Sequence, residues 1–313
     1  MSLVVKSYYR SLDLVVEPDE LLRSSWSSLF GRQAPLELEI GFGNGEYLAR
    51  RSLAEPDRDF VGLEVAWNSL KRALRRLADP PRANVRLTLF PATPALERLF
   101  EPRSLAAVTC LFPVPWPADK QAGRRLFTTA FLDLAANRLA DDGLFRLVTD
   151  EPRLAEWTLA EAADSALEFT HERRQAEMDT KYERKWLSGG QTLFHHLAGR
   201  KRRHPADPQL GTPDMQIRHA DRLDPADYRP ESLTGDDLCV VFGEFIYDPL
   251  RLAGLLRTKV VEGRLVQEFH IRVSRQPDGR WKFQPALSTR LMPTEGVALA
   301  LALAAGEKRP ARD

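Results

Sequence analysis

The sequence predicts an α/β fold, a doubly wound and mostly parallel sheet with crossover helices, followed by a smaller α+β unit. Two observations carry this expectation. Strand and helix signals alternate from residue 36 to about residue 169, and a glycine-rich turn stands where the first strand gives way to the first helix. The 313 residues, 43% of them apolar, suffice for a sizeable core and exceed the usual size of one domain. Two domains are therefore expected, 1–204 and 205–313.

Residues 36–40 (LELEI) read as the first strand, and 60–65 as a second that closes with Glu64. A third, 84–89, follows a proline-rich loop; a fourth, 105–112, runs into Pro113 and Pro115; 144–149 makes a fifth. Between them, 46–53, 68–77 and 127–139 carry apolar residues at helical spacing, and Asp141-Asp142-Gly143 reads as the turn that stops the last helix. Residues 199–212 are basic, then rich in proline and glycine, and read as a linker. Beyond it, 238–247, 260–273 and 281–284 are expected strands, with a hairpin turn at Asp278-Gly279. Asp248-Pro249 has the form of a helix start, and 294–305 reads as another helix.

Composition excludes several classes. A net charge of +1 rules out a polycation that binds nucleic acid by bulk attraction, so any RNA contact has to be local. Cys110 and Cys239 are too few for a disulfide framework or a zinc site, and both are expected reduced and buried. The histidines, His195-His196 among them, lack metal-ligand spacing, and no serine stands in a G-x-S-x-G elbow. No apolar run approaches the roughly 20 residues of a membrane span, and residues 1–10 lack the layout of a signal peptide, so the expected location is the cytoplasm.

The turn Glu39-Ile40-Gly41-Phe42-Gly43-Asn44-Gly45 lets backbone approach a ligand closely. Its spacing is E-x-G-x-G-x-G and departs from the dinucleotide G-x-G-x-x-G, because Glu46 follows Gly45. A glutamate would repel a pyrophosphate, whereas S-adenosylmethionine carries a sulfonium and an ammonium and no phosphate. Glu64, at the end of the second strand, is placed to accept hydrogen bonds from ribose hydroxyls. The residues thus favour a Rossmann-like site for that methyl donor, with Glu39, Gly41, Gly43, Gly45 and Glu64 as its walls.

With these residues in view, the chain resembles the tRNA (guanine-N7-)methyltransferase family. The likeness runs through LEIGFGNGEYLARR (38–51), FVGLEV (60–65), LFPVPWP (111–117), Arg124-Arg125, LVTDE (147–151) and TKYERKW (180–186), over roughly residues 35 to 200. It implies a class I methyltransferase fold, S-adenosylmethionine as cofactor, tRNA as partner, and methyl transfer to N7 of a variable-loop guanine. It implies donor contacts at Glu39 and Glu64, and substrate contacts at Asp150 and the segment from Thr180 to Glu183. Three positions depart from the family pattern: Val114 stands where the family has its catalytic acid, Ala118 where it has a lysine, and Pro91 where an acid faces the adenine.

Trp116 is a candidate for stacking on an extruded base, or else a loop anchor. Lys120, Arg124, Arg125, Arg184-Lys185 and the run from Arg200 to Arg203 are candidate phosphate contacts, each equally readable as a solvated face. Asp119, Asp150 and Glu151 are the acids that a reshaped loop would bring in for the one missing at position 114, with a solvated surface acid as the favoured reading of Asp119. Two rival readings follow from the departures: a non-catalytic family member that binds the donor or RNA, and a methyltransferase for another substrate selected by the second domain.

Overall fold

The structure is a computed structural model that describes residues 7–21, 24–116, 118–207, 213–286 and 291–307. The chain divides into two compact units, Met1–Pro208 and Gln209–Asp313.

In the first unit, a 3-10 segment (Ser7–Leu14) and a short helix, α1 (Trp26–Phe30), precede an alternating series. It runs β1 (Leu36–Ile40), α2 (Glu46–Ala54), β2 (Asp59–Glu64), α3 (Trp67–Leu77), β3 (Val85–Leu89), α4 (Ala92–Arg98) and β4 (Leu105–Leu111). A 3-10 turn (Asp119–Arg124) leads to α5 (Thr129–Arg138), β5 (Leu139–Thr149), α6 (Pro152–Asp164), β6 (Leu167–Gln175), α7 (Lys181–Ser188) and β7 (Leu193–Lys201). The seven strands lie in the order β3-β2-β1-β4-β5-β7-β6. Strands β1 to β5 pair in parallel, and β7 lies antiparallel between β5 and β6. The order reverses between β1 and β4, which opens a crevice at their carboxyl ends.

Hydrophobic pattern explains the layers. All five residues of β1 are buried, as a central strand covered on both faces requires. On α3, Leu70, Ala73, Leu74 and Leu77 face inward and meet Phe60, Val85 and Leu87 of the sheet, while Arg75 and Arg76 stay outside. A second cluster, Tyr47, Leu111, Phe112, Val148, Met178 and Phe194, packs beneath the crevice.

The second unit is a five-stranded antiparallel sheet. Its strands β8 (Arg218–Ala220), β9 (Leu238–Asp248), β10 (Ala253–Glu262), β11 (Leu265–Arg275) and β12 (Trp281–Pro285) lie in the order β8-β12-β11-β10-β9. One face packs Val240, Leu256, Val260, Ile271 and Phe283 against Val297, Ala300 and Leu301 of α8 (Glu295–Ala304). Thr294 caps α8 by accepting from the Val297 amide at 3.3 Å.

Five expectations change, the last of them at Cys239. Asp141-Asp142-Gly143 lies inside β5: between the Leu105–Leu139 and Ala107–Leu144 pairs, β4 advances two residues and β5 five, so a bulge absorbs the polar stretch. Asp248-Pro249 starts a hairpin turn instead of a helix. The Asp248 carboxylate does accept from the Leu250 and Arg251 amides, but Leu252 then turns to φ 48° and β10 follows. Residues 260–273 form two strands, reversed at Gly263.

The basic run is the fourth correction. Residues 199–201 complete β7, residues 208–212 lie outside the described part, and the side chains from Arg200 to Arg203 are engaged with the protein itself. Lys201 donates to the Leu139 carbonyl at 2.7 Å, Arg202 to Ser165 at 2.6 Å, Arg200 to Gly143 at 3.3 Å and Arg203 to Asp164 at 3.1 Å. They satisfy carbonyls at the start of β5 and at the end of α6. Cys110 is buried, but Cys239 is only half-buried and donates its thiol to the Gly235 carbonyl at 3.0 Å. Among the described residues, no helix is long and apolar enough to cross a membrane.

Candidate functional site

The crevice is built on the end of β1. Gly41, Gly43 and Gly45 follow with φ of 76°, 55° and 74°, values that side-chain-bearing residues rarely adopt. A Cβ on Gly41 would meet nothing within 4 Å, and one on Gly43 only the Gly41 carbonyl at 4.0 Å, so this wall is bare toward open space. Gly45 serves packing instead: its Cβ would stand 2.8 Å from the Ala73 Cβ, where α2 touches α3.

Two acids flank the turn. Glu64 is oriented by backbone, its Oε2 accepting from the Gly43 amide at 3.1 Å and its Oε1 from Val65 at 2.8 Å and Ala66 at 3.2 Å. Glu39 is 4% exposed, and its Oε2 is buried with no hydrogen-bond partner. Burial pushes its carboxyl up to about 8; Arg50 opposes the rise, Glu64 adds to it, and a hydrogen bond from the Leu48 amide lowers it. Glu37, two residues earlier on the same strand and equally buried, is matched by Arg51 and Arg58, each 3.1 Å from its Oε1. One buried acid is thus matched by two arginines, and the other keeps a carboxylate oxygen without a hydrogen-bond partner.

On the far side of the reversal, β4 ends at Leu111 and the next residues are strained, with Phe112 at φ 50° and Trp116 at φ 46°. Val114 between them is 66% exposed and brings no polar group to the crevice. Pro91 is the N-cap of α4, and Ala118 follows Pro117, which lies outside the described residues. Arg124 stands 4.9 Å over the Trp116 ring, while Arg125 stacks on Trp157 at 4.6 Å and donates to the Trp116 carbonyl at 3.1 Å. The two arginines therefore hold the tryptophan loop. Lys120 is exposed on the adjoining 3-10 turn, and the Asp119 side chain lies outside the described part.

Asp150 follows the last residue of β5 and is half-buried, with desolvation raising its carboxyl above the usual range. Gln191 donates to its carbonyl at 3.3 Å. Thr180 caps α7, accepting from the Glu183 amide at 3.2 Å, and Glu183, 1% exposed, accepts from the amides of Glu177 at 2.9 Å and Met178 at 3.1 Å. Both side chains order the approach to α7. Sequence reasoning used Glu46 only as an argument against a pyrophosphate and did not foresee that Glu46, with Arg50 and Arg76, joins this segment to the glycine turn through partners as far as 138 residues away. A cavity of about 630 Å³ lined by Trp26, Phe30, Arg32 and Asp59 lies at the opposite, amino-terminal edge of β1 and β2.

Residues 33–196 match a family model described as "Putative methyltransferase". A Thermotoga maritima protein named tRNA (guanine-N(7)-)-methyltransferase is 36% identical over 176 residues, 54% of this chain and 55% of that protein. The chain thus spans about half the length of that relative. A Deinococcus radiodurans protein of the same name is 32% identical over 260 residues, 78% of this chain and 80% of that one. Among solved structures, "Structure of an Antibiotic Related Methyltransferase" aligns at 15% identity with a TM-score of 0.46, over 59% of this chain and 94% of that one.

Proposed function

Because the chain belongs to the tRNA (guanine-N7-)methyltransferase family, we propose that it transfers a methyl group from S-adenosylmethionine to N7 of a variable-loop guanine in tRNA. The observation that carries this reading is the buried Glu39 carboxylate, its Oε2 without a hydrogen-bond partner, two residues before the bare Gly41 and near enough to Glu64 for the two charges to repel. A buried acid whose pKa is pushed to about 8 is a site short of one cation, and the donor's ammonium or sulfonium would supply it. The residues present fit the donor: Glu39 offers a charge, Gly41 and Gly43 offer close backbone approach, and Glu64 Oε2, which among the described residues accepts only from the Gly43 amide, keeps a lone pair for a ribose hydroxyl.

When bound, S-adenosylmethionine supplies an electrophilic methyl group. Guanine N7 is already a lone pair, so no side chain has to remove a proton, and the protein's task is alignment. Asp150, half-buried beyond β5, is an acid in position to accept from the base edge and to offset the positive charge that develops on the ring. The Trp116 loop, braced by Arg124 and Arg125, offers an aromatic ring on which an extruded base can stack. Lys120 and the arginines supply positive charge to RNA phosphates without reading sequence.

The test is incubation of the full-length protein with methyl-labelled donor and bulk tRNA, followed by nucleoside mass spectrometry. 7-Methylguanosine carrying the label is the expected product. Donor binding without that product removes the enzymatic reading.

A further inference from the structure

Glu46 opens α2 directly behind the glycine turn, and both of its carboxylate oxygens are in use. Oε1 accepts from Arg76 of α3 at 3.2 Å and from Arg184 of α7 at 2.6 Å, and Oε2 accepts from the Lys181 amide at 2.5 Å. Arg76 also donates to the Asn44 carbonyl, inside the turn, at 2.6 Å. One turn further along α2, Arg50 donates to the carbonyls of Met178 and, at 3.5 Å, Asp179. A single carboxylate, its side chain 14% exposed, thus joins the glycine turn, α3 and the first turn of α7.

Little else holds α7. Glu183 is its one buried residue among those described, and Trp186 alone packs partly on the cluster beneath the crevice. A helix retained by polar contacts with so little apolar burial belongs to the low-stability class of elements that move readily. Its position is set by the latch at its start.

We propose that Glu46 is a positioning residue that couples the two halves of the site. A donor seated on the glycine turn fixes Asn44 and Glu46, Glu46 fixes Arg184 and Lys181, and α7 is then held where RNA meets it. The donor and tRNA accordingly bind with positive cooperativity, and by linkage each tightens the other by the same factor. This coupling rests on the methyl-transfer reading above and adds to it a residue, Glu46, and an order among the contacts.

The measurement is the Kd for tRNA of the full-length protein, by fluorescence anisotropy, with and without saturating S-adenosylhomocysteine. The wild type is expected to bind tRNA about fivefold or more tightly with that ligand present. In E46Q the ratio falls to about one, while the Kd for S-adenosylhomocysteine without RNA changes by less than about threefold. R184Q, at an exposed position, removes the Arg184–Glu46 bond and the neighbouring Arg184–Asp179 contacts, leaves the bonds of Glu46 to Arg76 and to the Lys181 amide in place, and guards against a folding defect in E46Q; it is expected to lower the ratio as well, with a melting temperature close to that of the wild type. A wild-type protein that binds both ligands with a ratio of one, or variants that keep the wild-type ratio, overturns the coupling and leaves methyl transfer standing. A wild type that binds neither ligand overturns both.

Discussion

At the scale of single residues, the proposed chemistry turns on Glu39 and Val114, and each makes a prediction. The Glu39 carboxyl titrates near 8 in the folded chain against 4.5 when exposed, so the folded state holds an extra proton between those values. Its contribution is fully present below about pH 4.5 and is lost as pH rises through 8, so the donor-free protein should lose stability over that window. In E39Q, melting temperature measured from pH 5 to 8 is expected to stay flatter than in the wild type, while donor affinity by calorimetry falls by at least about tenfold. Val114 stands where the resemblance implies a carboxylate, and in the proposed reaction that acid would offset the positive charge that develops on the base. Val114→Asp is expected to raise kcat/KM for tRNA methylation by about 30-fold or more, since one charged partner is worth roughly 2 to 4 kcal/mol. Both residues were legible in the sequence, because a strand end followed by glycines localises Glu39 and a proline-framed block localises Val114. The Glu46 latch was not, since nothing local marks an arginine 30 or 138 residues away as its partner.

Among the elements, the five parallel strands were legible because each is a short apolar run ending at a glycine, proline or acid. The antiparallel end of the sheet was not. β6 is LEFTHERRQ, with only Leu167 buried and a charged remainder, so an edge strand reads in sequence as a solvated stretch. Its partner β7 ends in the basic run, whose charges suggested RNA until their carbonyl partners were seen. Arg202→Ala should therefore lower the melting temperature by several degrees through unsatisfied carbonyls at the end of α6, while the salt dependence of tRNA binding stays as in the wild type. A reduced salt slope would return that arginine to the RNA surface. Asp248-Pro249 fails for a related reason. The same side-chain-to-amide bonds that cap a helix also close a hairpin turn, and pairing of β9 with β10 decides between them.

The whole molecule has two cores that do not share a sheet, and the glycine turn, both acids and α7 all belong to the first. A chain ending at residue 208 is expected to bind S-adenosylhomocysteine within about twofold of the full-length Kd, by calorimetry, as independent sites require. A larger loss would give the second unit a share in the donor site. The Deinococcus match covers 78% of the chain, more than the first unit's 208 residues, so that relative shares part of the second unit as well. Each unit also carries one cysteine. Burial drives the Cys110 thiol far above its ordinary range, beside Glu39, whereas Cys239 is only partly covered. An alkylating reagent should consequently label the protein in two phases, a fast one at Cys239 and a slow one at Cys110 that waits for the central strands to part. Peptide mapping of a time course would turn the pair into separate clocks, one for each half of the chain, and a saturating donor should slow only the Cys110 clock.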